Sequence, residues 1–92
     1  MHQIHKKLVS ISIESLRLIA KAPLKKKDYK VLLFLMSHLD SLTYKRVDKK
    51  PIAEELGMDK DDVEQSLENL VHAGLLIEGE SGMVRKGYKF DF

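Results

Sequence analysis

The sequence predicts a single α+β domain in which a three-helix core is closed by a C-terminal β-hairpin and preceded by a short strand and helix. Three observations predict it. The chain has 92 residues, 43% apolar and 33% charged, enough for one small core and too few for two. Between residues 26 and 74, apolar side chains recur at helical spacing in three successive segments, the last two separated by Gly57. The closing stretch LLIEGESGMVRKGYKFDF splits into two extended runs around Gly79-Glu80-Ser81-Gly82, the composition of a hairpin with a four-residue tip. No repeat, low-complexity tract or Gly/Ser linker interrupts the order. The domain therefore divides into an N-terminal strand and helix (1–22), a helical core (26–74) and a hairpin (75–92).

Each element has a local reason. Residues 8–13 alternate, with Val9, Ile11 and Ile13 on one side and Ser10 and Ser12 on the other, which predicts a short strand. Residues 14–21, carrying Leu16, Leu18 and Ile19, form a brief helix closed by Pro23. Tyr29, Leu32, Leu33, Leu35, Met36 and Leu39 repeat at helical spacing over 26–39, and Val31 and Phe34 widen that face. A helix apolar on so much of its girth should be nearly enclosed, in part by a second subunit. Residues 42–47 can form a short strand, after which Asp48 caps a helix to residue 56 that tolerates Pro51 in its first turn. Gly57 turns the chain, Asp59 caps the next helix, Val63, Leu67, Leu70 and Val71 form its buried stripe, and Gly74 ends it. In the hairpin, Tyr88, Phe90 and Phe92 alternate onto one face.

Composition excludes several classes of function. Without cysteine there is neither a disulfide framework nor a thiolate metal site. The longest strongly apolar run, 31–36, is far short of a bilayer span, and MHQIHKKLVSISIE lacks the unbroken apolar block of a signal peptide, so a soluble, cytoplasmic chain is expected. There is no Gly-rich phosphate loop or nucleophile elbow, and the scattered Ser, His and Asp residues suggest no triad, so no enzyme and no cofactor are expected. His2 and His5 stand three apart with no further ligands, and His38 and His72 are isolated, so no metal site is expected.

The net charge of +2 conceals an asymmetry: residues 1–50 hold 12 Lys/Arg against 4 Asp/Glu, or +8, and residues 51–92 hold 4 against 10, or −6. Such a split suggests a directional surface for a polyanion, although a highly charged domain that merely stays soluble reads the same way.

Helix, tight turn, helix, hairpin is the order of a winged helix-turn-helix, and over residues 26–90 the sequence resembles that superfamily. Ile52, Ala53, Leu56, Gly57, Met58 and Val63 fall where such modules place their small and apolar residues, and LENLVHAGLL is similar to their transition into the wing. The opening segment before DYKVLLFLMSHLD is similar to small plasmid replication initiators of the RepL kind and, more remotely, to MarR-like regulators. The resemblance implies a DNA-binding protein, commonly a homodimer, acting in transcription or in replication of a plasmid or phage. It would place the outer face of the second motif helix, here Lys60, Asp61, Glu64, Gln65, Glu68 and Asn69, in the major groove.

The charge of that helix departs from the pattern. Residues 59–72 hold one lysine against five acids, whereas DNA-reading helices usually carry cationic or neutral polar groups. Several carboxylates facing phosphate would repel it unless cations nearby compensate. Candidates are Arg85, Lys86 and Lys89 in the wing, Lys45, Arg46, Lys49 and Lys50 just before and at the start of the first motif helix, and Lys25, Lys26 and Lys27, which oppose the dipole of the long helix they begin. Gln65 and Asn69 are the expected base readers, since their amides pair bidentately with adenine; ordinary helix surface is the alternative. Tyr88, Phe90 and Phe92 could stack on unpaired bases, but core or dimer contacts suit such alternation better. The competing expectation is a protein-interaction module that docks Asp61, Asp62, Glu64 and Glu68 on a basic partner. A dimer interface is expected over residues 4–20 and the outer face of the long helix.

Overall fold

The computed structural model describes residues 10–92. Four helices, α1 (Ile13–Lys21), α2 (Lys26–Leu35), α3 (Lys49–Leu56) and α4 (Lys60–His72), precede two antiparallel strands, β1 (Leu76–Ser81) and β2 (Val84–Phe90). The chain is thus α+β with a C-terminal hairpin. His2, His5 and the beginnings of the expected strand and dimer interface lie outside the described residues.

Packing converges on α4, which lies against α2, α3 and β1. Its inner stripe is Val63, Leu67 and Leu70, and these meet Val31, Leu32 and Leu35 of α2, Ile52 and Ala53 of α3, and Leu75, Leu76, Tyr88 and Phe90 at the hairpin in one buried cluster. Val71, expected in the stripe, is only half-buried, and Ser66 takes the inward place between Val63 and Leu70. Tyr88 and Phe90 are core residues, and Phe92 stacks on Phe90 with ring centroids 4.8 Å apart, so this aromatic face points into the domain.

The N-terminal strand is a correction. Residues 10–12 pair with nothing in a sheet, and Ile13 opens α1. The cause is Ser12, whose hydroxyl accepts the Ser15 N–H at 3.1 Å and caps the helix, a local bond that outcompetes alternation as a determinant of backbone geometry. Glu14 in the first turn and Lys21 in the last complement the helix dipole. One buried apolar side chain, Ile19, joins α1 to the core, and the Tyr29 hydroxyl donates to the carbonyls of Ile19 and Ala22 at 3.1 and 3.3 Å.

The long helix is shorter than expected, ending at Leu35 rather than Leu39. The chain tightens there: Ser37 and His38 donate their N–H groups to the carbonyls three residues back, at 3.2 and 2.9 Å, and the Ser37 hydroxyl also donates to the Phe34 carbonyl at 2.8 Å. Leu39 remains buried beyond the end.

The expected strand over 42–47 shrinks to one bridge, Lys45 with Tyr88, closed by backbone bonds of 3.0 and 2.8 Å. Asp40 causes this. Its carboxylate accepts the N–H groups of Leu42 and Thr43 at 2.9 and 3.1 Å and pairs with Lys45 at 3.2 Å, winding the segment into a turn. The turn is pinned to the hairpin by the Phe90 N–H, which donates to the Asp40 carbonyl at 2.9 Å. Tyr44 then lies on the cross-strand pair Gly79 and Gly87, where a β-carbon on Gly79 would come within 2.5 Å of the Tyr44 ring. Only glycine admits that approach.

The Asp40 carboxyl is held down to about 2, first by the Thr43 N–H, then by that of Leu42 and by Lys45. A carboxyl more acidic in the folded than in the unfolded chain adds stability that is present above its unfolded value of about 4 and is lost as the pH falls towards 2. Asp40→Asn is expected to flatten the loss of stability across that window, read as urea midpoints at a series of acidic pH values. An unchanged acid limb would show that the Asp40 turn does not persist in solution.

Asp48 and Asp59 stand at the N-cap positions of α3 and α4, as expected, but neither side chain makes the capping bond. Asp48 instead pairs with Arg46 at 3.3 Å. Gly57 joins the helices in a left-handed conformation (φ 64°, ψ 40°), a geometry that an L side chain resists. The hairpin tip is two residues, Gly82 and Met83, not four, because a register slip between Gly79 and Ser81 lets β1 run on to pair Ser81 with Val84.

Candidate nucleic-acid interface

The side of α4 facing away from the core carries Asp61, Gln65, Glu68 and His72, all exposed, flanked by the half-buried Asp62, Glu64 and Asn69. Helical periodicity dictates this, since the buried stripe leaves positions 61, 65, 68 and 72 opposite it. No other described element covers that face.

Two of the acids are answered by lysines at the starts of neighbouring helices. Lys27 of α2 meets Asp62 at 3.1 Å, and Lys49 of α3 pairs with Glu64. Both pairs remain in contact with water, with Lys27 exposed and Asp62, Lys49 and Glu64 half-buried, and contribute about 1 kcal/mol or less each. Their larger effect is on the field of the face, where Asp59, Asp61 and Glu68 remain as the acids without an ion pair among the described residues. Lys27 also accounts for one cation of the Lys25–Lys27 run that opposes the α2 dipole.

The nine residues read from the sequence as the DNA-binding set separate into two groups. Lys50, Lys60 and Arg85 are exposed and have no ion pair among the described residues. The others are engaged within the domain: Lys49 with Glu64, Arg46 with Asp48, Lys86 with Glu78 at 3.5 Å, and Lys89 with its ammonium 4.7 Å from the centroid of the Tyr44 ring. Asn69 donates its amide N–H to Asp28 at 3.2 Å, and Gln65 donates to the Asn69 carbonyl oxygen at 3.0 Å.

Asp28 is the residue that sequence reasoning missed. It is 2% exposed, yet its carboxylate is supplied with donors: the Ser66 hydroxyl at 2.8 Å, the Asn69 amide at 3.2 Å and the Lys25 N–H at 2.9 Å. A buried carboxylate is tolerable only with such a complement of donors. The available signal was its spacing, since Asp28 falls on the same face as Val31, Leu32 and Leu35.

Between α4 and the hairpin runs a groove of about 280 Å³ bordered by Glu64, Glu68 and Glu78, with His72, Lys86 and Tyr88 among its other walls. Burial, and then the Glu78 charge, push the Tyr88 phenol up. A cleft of about 440 Å³ is lined by Ser12, Ser15, His38, Asp40, Lys45 and Phe90 among others and includes none of the nine residues of the DNA-binding set. There the Asp40 carboxylate is committed to its own turn and the His38 ring lies against Phe34 at 4.6 Å, so Asp40 does not orient His38. Among the described residues, no group of three or more His, Asp or Glu side chains is placed to hold a metal ion, and no helix is long and apolar enough to cross a membrane.

No protein-family model matches the chain, and comparison with curated proteins gives no significant match. Geometry alone carries the functional reading.

Proposed function

We propose that the chain is a homodimeric winged-helix protein that binds double-stranded DNA, in control of transcription or in replication of a plasmid, phage or other mobile element. One observation carries the reading: α3, the left-handed Gly57 turn and α4 leave an outer helix face uncovered, with Lys50 on α3, Lys60 on α4 and Arg85 on β2 exposed and without an ion pair among the described residues. The acidity of α4 is the objection to it, and Lys27 and Lys49 reduce that objection by answering Asp62 and Glu64. Gln65 would face bases.

The second copy would cover Ile13, Leu16 and Leu18 of α1 and Leu33 of α2, which are exposed by 65, 49, 59 and 65%. Two-fold pairing would set two α4 helices at major grooves about one helical turn apart. Selection of bound sites from random duplexes tests both parts. Palindromic sites with half-sites about 10 base pairs apart are expected, and a pool from which nothing is retained near physiological salt rejects the reading.

A second reading, a module that docks its acidic helix on a basic protein, is favoured by the groove in which Glu64, Glu68 and Glu78 converge. Changing Asp61 and Asp62 to Asn and Glu64 to Gln separates the two. A DNA-binding protein should then bind duplexes more tightly and less selectively, by about tenfold. Unaltered duplex affinity together with loss of a stoichiometric protein partner would favour the docking module.

A further inference from the structure

We infer that Asp28, Asn69 and Gln65 form a positioning relay, in which a buried carboxylate on α2 presets, through Asn69, the side-chain amide of Gln65 to read adenine. The inference rests on the duplex-binding reading and assigns Asn69 a new role, that of a positioning residue behind the reader.

The argument is one of hydrogen-bond polarity. An ionised carboxylate only accepts. Asp28 Oδ1 takes the Ser66 hydroxyl at 2.8 Å and the Asn69 amide at 3.2 Å; Oδ2 takes the Lys25 N–H at 2.9 Å and the same amide at 3.2 Å. With donors on both oxygens and 2% exposure, this end of the chain has one arrangement. Asn69 must therefore turn its NH2 inward and its Oδ1 outward. That oxygen accepts from Gln65 Nε2 at 3.0 Å, and because it too can only accept, Gln65 must direct its NH2 towards Asn69.

In the proposed arrangement Gln65 donates to Asn69 through the N–H on the side away from its Oε1, which leaves Oε1 and the other N–H side by side for a base. One acceptor beside one donor on a planar amide matches the N6 amino group and N7 of adenine in the major groove. Residues 65 and 69 are one helical turn apart, so the buttress runs along α4 and leaves the outward side of Gln65 open. Holding the reader in its bound rotamer before contact is how a supporting contact sharpens selectivity without touching the base.

The test uses the full chain and a duplex selected from a random pool, with each adenine of the site replaced in turn by 7-deazaadenine, which lacks the N7 acceptor. For the wild type, one adenine per half-site should cost about fivefold or more in affinity when replaced. Gln65→Ala and Asn69→Ala should each reduce that ratio to within about twofold. Each ratio is taken between the modified and unmodified site for the same variant at one salt concentration, so that a general change in phosphate affinity cancels from it. Asp28→Asn, which puts a donor against the donors of Asn69 and Lys25, should do the same if it folds; Asn69→Ala leaves the Ser66 and Lys25 bonds to Asp28 in place and carries the test if it does not.

The outcomes separate. A wild type that retains no duplex overturns the DNA reading and the relay together. A wild type that binds but is indifferent to every 7-deazaadenine, or an Asn69→Ala variant that keeps the full ratio while Gln65→Ala loses it, overturns the relay and leaves the DNA reading standing.

Discussion

Duplex binding is expected to fall by about two to three orders of magnitude near 0.1 M salt when Lys50, Lys60 and Arg85 are changed together to glutamate. Each phosphate contact releases about 0.9 of a counterion, which at that salt is worth slightly less than a factor of ten, and three contacts compound. The slope of log affinity against log salt should flatten by about 3. These three are the informative choice because no ion pair among the described residues holds their charges, whereas reversing Lys49 or Lys86 would also strand Glu64 or Glu78. As exposed surface positions, they should alter folding stability by only about 0.5 kcal/mol each, so lost binding would not reflect an unfolded chain. Fluorescence anisotropy over a salt series reads both quantities, and an unchanged slope would remove all three from the interface.

How far the sequence foretold this arrangement depended on the range of the forces involved. The core helices were legible because Val63, Leu67 and Leu70, or Val31, Leu32 and Leu35, mark a face by spacing alone. Gly57 and Gly74 were legible because a left-handed residue between or after helices has one common solution, and both take positive φ. Misreadings arose where a short polar side chain had two possible uses. Ser12 caps a helix instead of alternating in a strand, Asp40 winds a turn where a strand was expected, and Asp48 pairs with Arg46 instead of capping α3. Periodicity does not report such choices, which are settled by local bonds of about 1 kcal/mol.

At the candidate site the limit was different. Periodicity placed Gln65 outside and Asn69 beside it, but the partner of Asn69 lies 41 residues away in sequence, at Asp28. The same holds for Lys27 with Asp62 and Lys49 with Glu64. A single sequence gives the face on which a polar group sits and not the group it meets across the core. The acids of α4 are therefore answered in part by cations carried on two other helices.

Leu70→Ala is expected to cost about 3–4 kcal/mol, the range for a fully buried leucine whose cavity cannot collapse. Leu70 is 0% exposed on the helix that α2, α3 and β1 all pack against, so relaxation would have to move several elements at once. For a domain of this size that is a large share of a total stability of about 5–14 kcal/mol. Leu16→Ala supplies the contrast, since Leu16 is 49% exposed in the single chain and should cost less than about 1 kcal/mol there. If a second copy covers α1, the Leu16 cost must grow with protein concentration, because association stabilises only what is associated. The Leu70 cost should persist at every concentration. Urea titrations of both variants at micromolar and submillimolar protein measure the difference. A Leu70→Ala loss below about 1 kcal/mol would contradict the packing that presents the outer face of α4, and a Leu16→Ala loss that never varies with concentration would leave α1 without its proposed partner.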